Sequence, residues 1–491
     1  MSFGGLDIGT SGCKCTAFNE LGYELASAYM AYPAKRNLGL HEIDIDSIWQ
    51  AVKHVLSQVA QETKKTGDDL KALCVSSFGE TCAVLDEHDK SVIPSFLYTD
   101  SRGVDEVNEL SDKMGSRQVF QISGHKPGYM YTLPKLMWAQ KNMPGKLDTA
   151  KKILPINSTV IYFLTGEKVT DPSLASRTMM LDIREKKWHT GLLEQAGIDE
   201  SKMPKVVDIG TVVGTVSKTI ADELNLSEDL KIVVGAQDQI VAALGSGALH
   251  DGQTVNGSGS VECITPLFSK IPDSDVFYDA NYCVVPMLPG LYVTYAFVFS
   301  GGTLLEWLRS KMNADTLSPD EFDEIHVQQP TGILALPHFS GAATPYMNNK
   351  AKGAIIGLTL EHTAADVYRA LQEGLCYESL LNIDYLRQSG IAVDSLKITG
   401  GGARSPVWNQ MKADVLGVSC KTILNKEAGA TGSAMLTGVA LGVYADLHEA
   451  ASVLVTEGQT FESRSDMNLK YEEQFEKYKK IYDSVQEILK P

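Results

Sequence analysis

One arrangement occurs twice in this chain, and it restricts the fold more than any other feature. A strand-like run, a turn of glycine and hydroxyl residues, and a second strand-like run form "GLDIGTSGCKCTAF" (Gly5–Phe18). The same order returns in "GQTVNGSGSVECITPLF" (Gly252–Phe268). Each reads as a β-hairpin, because alternating apolar residues flank a turn whose residues tolerate positive φ. A second pair of segments also echo each other: "LKIVVGAQD" (Leu230–Asp238) and "LKITGGGAR" (Leu396–Arg404). Both run from an apolar strand through small residues toward a helix. Repeats spaced by about half of a 491-residue chain predict two similar domains. The boundary is expected near residues 246–254, giving domains 1–247 and 248–491, with a ligand cleft between them.

The intervening pattern indicates the sheet type. Leu21–Tyr32 continues as strand, and the segment from His41 to Lys65 carries a helical stripe at Ile48, Val52, Val55 and Val59. "LKALCVSSFGETCAVLD" then reads as strand, turn, strand. Three strands before the first helix are incompatible with simple βαβ alternation, so the class is α/β with mixed sheets. The C-terminal "NLKYEEQFEKYKKIYDSVQEIL" is a charged amphipathic helix expected on the outside.

Composition excludes some functions. The formal net charge of −17 opposes a nucleic-acid partner, which needs a basic surface. The apolar stretches are too short and glycine-rich for a membrane span, and the N-terminus lacks the basic-then-apolar order of a secretion signal. Eight scattered cysteines form no CxxC pair and are expected as buried thiols in a reducing cytoplasm. No Walker A or GxGxxG sequence supports a P-loop or a Rossmann site.

The turns carry the chemistry. Glycine and hydroxyl turns converge backbone N–H groups that bind anions, phosphate above all. Gly9, Thr10 and Ser11, and Gly257, Ser258, Gly259 and Ser260, are therefore candidate phosphate sites. Asp7 ends an apolar strand, where a carboxylate needs hydrogen bonds or a cation. Mg²⁺ is the cation that accompanies nucleotide phosphates. Lys14 could reach a phosphate. Gly400, Gly401 and Gly402, followed by Ala403 and Arg404, leave bare backbone for a flat ring, and a helix begins near Pro406.

Taken together and in this order, the motifs resemble those of the FGGY carbohydrate kinases, over about residues 4–445. "DIGTSGCK" and "NGSGS" are similar to the family's two phosphate motifs, and "GGGARS…WNQMKADVLG" to its adenosine motif, which includes Asn409. "YTLPKLMWAQKN", "GAIIGLTLEHTAADVYRALQEG" and "EAGATGSAMLTG" resemble the remaining signatures, with Ala139 and Gln372 as departures. The resemblance implies two ribonuclease-H-like domains of the actin and hexokinase type around a central cleft. It also implies ATP and Mg²⁺ as cofactors. Asp238 would be the base for the acceptor hydroxyl, with Asp7 and Asp238 near the metal. On residue type alone Asp238 could equally be a helix N-cap. As a base it is expected near its ordinary pKa of about 4.

Sugar contacts are expected from Ser77, Phe78, Glu80, Asp100, Arg102, Asp238 and Gln239, with Tyr98 packing nearby. At Ser77–Gly79 and Asp238–Gln239 the chain has Ser-Phe-Gly and Asp-Gln, where D-xylulose kinases usually carry Met-His-Gly and Asp-Asn. Gly79–Thr81 and Asp-Gln are closer to glycerol kinases, whose arginine before the glutamate is Gly79 here. A ketose or sugar acid leads as substrate, with glycerol or another polyol behind. An actin-fold nucleotide-binding regulator without sugar kinase activity is the reading from another class. The expected partner is a small sugar or polyol, with no nucleic acid and no membrane; a homodimer is left open.

Overall fold

The computed structural model describes residues 1–311 and 329–489. Contacts divide the chain into two compact units. The first holds Met1–Gly247 together with Cys283–Tyr292 and Glu427–Val455, and the second holds the rest. The second unit therefore lacks two stretches that a continuous 248–491 domain would contain.

In the first unit, β1 (Ser2–Ile8), β2 (Gly12–Asn19) and β3 (Glu24–Ala31) form an antiparallel meander. Helix α1 (Ile45–Lys65) follows, capped by Asp44, which accepts from the Ser47 amide at 3.1 Å. Its expected stripe, Ile48, Val52, Val55 and Val59, is buried in the unit's main core. Strands β4 (Leu70–Ser77), β5 (Val212–Thr215) and β6 (Lys231–Gln237) complete a sheet of order β5-β6-β4-β1-β2-β3. β4 runs parallel to both β1 and β6, and all but the first residue of β6 are buried, as suits a strand covered on both faces. Asp238 opens α2 (Asp238–Gly245) directly at the end of β6.

The stretch Glu427–Val455 joins this unit because its helix, Ala428–Ala440, is built from small residues. A Cβ on Gly245 would stand 1.8 Å from the Ala428 carbonyl oxygen, and one on Gly432 would stand 1.9 Å from that of Val241. Two helix backbones in near contact leave no room for side chains. That packing is set by spatial approach, which no linear boundary in the sequence marks.

The second unit repeats the plan. β7 (Gln253–Ser258) and β8 (Glu262–Phe268) form the second hairpin, and β9 (Ala296–Val298) pairs antiparallel with β8. Helix α3 (Ala364–Gln388) begins with a Thr363–Asp366 capping box. β10 (Ser395–Thr399) lies parallel to β7, α4 (Pro406–Leu416) follows, and β11 (Ser419–Ile423) lies parallel to β10. β12 (Glu457–Phe461) is antiparallel to β11. Within an eight-stranded sheet, the order β12-β11-β10-β7-β8-β9 reproduces the six strands of the first unit.

That match corrects one expected pairing. β10 occupies the position of β4, beside the hairpin, and not that of β6. The counterpart of the glycine turn after β10 is thus the Ser77–Glu80 turn after β4. The shared Leu-Lys-Ile opening of Leu230 and Leu396 reflects strand burial, not equivalent place.

The C-terminal helix is two helices, α5 (Ser465–Tyr478) and α6 (Ile481–Ile488). Met467, Tyr471, Phe475 and Tyr478 bury one face, and the Tyr478 hydroxyl bonds Glu378 of α3. All eight cysteines are buried free thiols. No helix among the described residues is long and apolar enough to cross a membrane.

Candidate active site

In the first unit the β1–β2 turn is closed by the Gly9 amide donating to the Gly12 carbonyl at 2.9 Å. Thr10 and Ser11 are left partly or fully exposed at its tip. Asp7 pairs in register with Lys14 on β2. The Asp7 carboxylate accepts from the Ser76 hydroxyl at 3.3 Å. Burial raises its pKa to about 6, against the opposing pull of Ser76 and Lys14. Lys14 is not a lone cation: its ammonium donates to Glu427 at 2.9 Å.

Asp238 stands at the first turn of α2, where it accepts from the Gln239 amide at 2.7 Å. Its pKa is raised to about 7, first by burial, then by the charges of Asp7 and Glu80, while Gln239 and Arg177 pull it down. The expectation of an ordinary value near 4 is thus corrected. A carboxylate desolvated among other carboxylates disfavours its own charge.

The backbone that carries Asp238 is held from outside its own strand. Asp171 caps the short helix Pro172–Ser176 and accepts from the Ser173 amide at 2.8 Å. The Ser173 hydroxyl donates to Asp171 and accepts from the Gln237 amide at 3.0 Å. The same short helix ends in Arg177, whose guanidinium donates to the Glu80 carboxylate. One turn of helix therefore fixes both the residue before Asp238 and the pair at Glu80.

Glu80 itself is buried and takes a left-handed backbone, φ 65°, a costly conformation for a residue with a side chain. A Cβ on Gly79 would lie 3.3 Å from Cγ of Arg177. The arginine thus fills the space that the glycine leaves. Its guanidinium also lies 5.2 Å from the Tyr131 ring centroid, and the His125 ring meets Tyr131 tilted by 41°, with centroids 4.7 Å apart. His125 is fully buried with neither ring nitrogen bonded, and burial holds it neutral, well below the usual imidazole range.

The remaining acceptor-side candidates are engaged with protein. The Ser77 hydroxyl donates to the Phe78 carbonyl at 2.9 Å and accepts from the Asn157 amide at 3.1 Å. Phe78 lies in the main core. Asp100 is buried and takes Arg102 as a two-pronged partner, at 2.9 and 2.6 Å, with the His41 amide as a further donor. Burial alone would raise its carboxyl, but these donors hold it below the usual range. Arg102 also pairs with Glu42 at 2.8 Å and lies over the Phe96 ring. Gln239 is partly exposed, and Tyr98 is exposed and feels the charges of Glu80 and Asp238. Sequence reading missed Arg177, His125 and Lys135; the buried Lys135 ammonium donates to the Asp100 carbonyl at 2.8 Å.

In the second unit, Gly257 lies partly buried at the end of β7, and Gly259 and Ser260 are exposed at the hairpin tip. Ser258 is fully buried, its hydroxyl shared between Glu262 and Lys412. Gly400 has φ 86°, and a Cβ there would be 2.6 Å from the Ser258 carbonyl oxygen. Gly401 faces open space, whereas a Cβ on Gly402 would meet the Ser258 hydroxyl at 1.9 Å. The glycine at 402 is thus required by the neighbouring turn. Arg404 is exposed, and Asn409 is buried, with its amide donating to the Ala403 carbonyl at 2.9 Å.

The described residues contain no cluster of three or more acidic, histidine or cysteine groups able to enclose a metal. Asp7 and Asp238 offer oxygen donors only. That set suits an ion held mainly by phosphate oxygens and water with one or two carboxylates, the usual situation of Mg²⁺.

Comparison with known proteins agrees with this architecture. Residues 2–245 match the N-terminal domain of the FGGY family of carbohydrate kinases, and residues 269–441 match its C-terminal domain. A xylulose kinase of Staphylococcus xylosus is 26% identical over 98% of this chain and 99% of its own length. A gluconate kinase structure from Lactobacillus acidophilus superposes with a TM-score of 0.90 at 23% identity, covering 99% of this chain and 98% of that one. A Plasmodium falciparum glycerol kinase with ADP gives 0.89 at 21% identity, covering 99% and 98%.

Proposed function

Because the chain belongs to the FGGY family of carbohydrate kinases, we propose that it transfers the γ-phosphate of ATP to a hydroxyl of a small ketose such as xylulose, or of a sugar acid such as gluconate. The observation that carries the proposal is the buried Glu80–Arg177 pair, held by the same short helix whose Ser173 fixes the Gln237 amide beside Asp238. A carboxylate and a guanidinium offer acceptors and donors in fixed geometry for neighbouring hydroxyls. Asp238, with a pKa near neutrality, is matched to taking a proton from one of them. Gln239 and Tyr98 flank the acceptor, and Asp100 and Arg102 brace the wall behind it.

In the second unit, phosphate is read as meeting the Gly257–Ser260 turn and adenosine as lying along Gly400–Arg404, supported by Asn409; in the first unit, the Gly9–Ser11 turn is read as a phosphate site. Mg²⁺ would be held by Asp7, with Asp238 near, and would neutralise charge on the phosphates. Lys14 adds positive charge on that side.

The ketose reading is favoured by the xylulose kinases among the relatives. One observation favours a polyol such as glycerol instead. Arg177 fills the space beside Gly79 and pairs with Glu80, restoring an arginine–glutamate pair that sequence reading found missing. An actin-fold nucleotide-binding regulator would have no need of such a pair. ADP production measured against a panel of ketoses, polyols and aldonates tests the choice. A ketose or aldonate should stimulate most; stimulation by glycerol alone would select the polyol reading, and none at all would remove the acceptor site.

A further inference from the structure

A fully satisfied buried charge of the second unit lies beneath the two turns assigned to ATP. Lys412 sits in the middle of α4 and is 3% exposed. An ammonium has three N–H donors, and all find side-chain oxygens: Asn256 at 2.7 Å, Ser258 at 2.9 Å and Glu262 at 2.9 Å. The Trp408 ring covers the remaining side, its centroid 4.3 Å away. Glu262 in turn accepts from Asn256 at 2.9 Å and from the Ser258 hydroxyl.

Asn256, Ser258 and Glu262 flank the hairpin turn, while Lys412 and Trp408 belong to the helix that follows the glycine turn. The two turns also touch directly, because Gly402 leaves its Cβ space to the Ser258 hydroxyl. We infer that Lys412 is a positioning residue for ATP, tying the Gly257–Ser260 turn to the Gly400–Arg404 turn so that phosphate and adenosine sites keep one spacing. The inference rests on the reading that these turns receive ATP. Ser258 then serves as a strut, and the phosphates meet the backbone and the exposed tip of the hairpin. A cheaper core was available: replacing a buried ion pair with apolar residues of similar size is often neutral or stabilising. Retaining the pair is explained by the spacing it enforces.

Two variants of the full chain test this. Lys412→Met removes the tie but leaves Glu262 buried without its cation, which can prevent folding. The double variant Lys412→Met/Glu262→Gln removes both charges, and the new amide accepts from Asn256 while donating to the Ser258 hydroxyl. The readouts are the calorimetric Kd for ATP, KM for ATP, KM for the acceptor and the thermal midpoint. The double variant should fold and show Kd and KM for ATP raised tenfold or more, with acceptor KM within twofold of wild type. Unchanged ATP binding in the folded double variant, whatever its melting temperature, would overturn the inference and leave the nucleotide reading intact. Failure of the wild type itself to bind ATP would overturn that reading, and the inference with it.

Discussion

At the scale of single residues, the candidate site is governed by desolvated charges. Asp238 must be ionised to accept a proton, and its pKa is raised to about 7. Acceptor kcat/KM should therefore climb with pH through about 7 and level off above it; a profile flat between pH 5.5 and 8 would remove Asp238 as the base. Asp238→Asn should fold, bind ATP and lose about 10²-fold or more in acceptor-dependent rate. A mere helix cap would tolerate that change, since Asn and Asp cap alike. Arg177→Ala should lower acceptor kcat/KM by about 10- to 100-fold, the worth of a hydrogen bond to a charged group. Its Kd for ATP should stay unchanged, and calorimetry beside steady-state kinetics would separate the two effects. Asp238 and Asp7 were legible in the sequence because each carboxylate interrupts an apolar strand end. Arg177 was not, because it lies 97 residues from Glu80 and no local pattern announces the pairing. The mutual pairing of Asp100 and Arg102 was hidden for the opposite reason. Their i, i+2 spacing says that they are close but not whether they face each other or a ligand.

Elements explain why the same residue types behave differently in the two units. Both hairpins were readable from alternation and glycine turns, and both form with the expected strands. What could not be read was the partner of each turn. The Gly400–Gly402 cluster looks like space for a ring, yet at Gly402 the space is consumed by Ser258 of the other turn. The small-residue helix Ala428–Ala440 likewise looks like a sequel to the second domain and packs on α2 of the first. Its cause is close approach, so its test is steric. Gly432→Val should destabilise the protein by about 1–3 kcal/mol or more, the usual penalty of overpacking a tight contact. A denaturant midpoint equal to wild type would show that the helices can separate without cost.

On the scale of the whole molecule, buried and half-buried carboxylates set a pH dependence of stability. Asp7 and Asp171 are raised to about 6, and Asp238 and Glu373 to about 7, in each case chiefly by burial. Between their ordinary values near 4 and these, the folded state binds protons that the unfolded chain has released. Stability must then fall as pH rises through that window. His125 and, toward pH 8, Lys135, whose pKa burial lowers to about 8, act in the reverse sense, since each is held toward its neutral form in the fold, but they are two groups against four. Without ligands the thermal midpoint should be higher at pH 6 than at pH 8, and a midpoint rising toward pH 8 would show that these carboxylates are not buried as described. The duplicated sheet, its two hairpin turns and the pair at Glu80 all converge on one claim, that a phosphoryl group leaves ATP for a sugar hydroxyl. Phosphorus NMR of the chain with MgATP and its best panel acceptor tests this most directly. The γ-phosphate signal of ATP should decay in step with a new phosphomonoester on the acceptor. Decay into inorganic phosphate, at the same rate with and without acceptor, would contradict it.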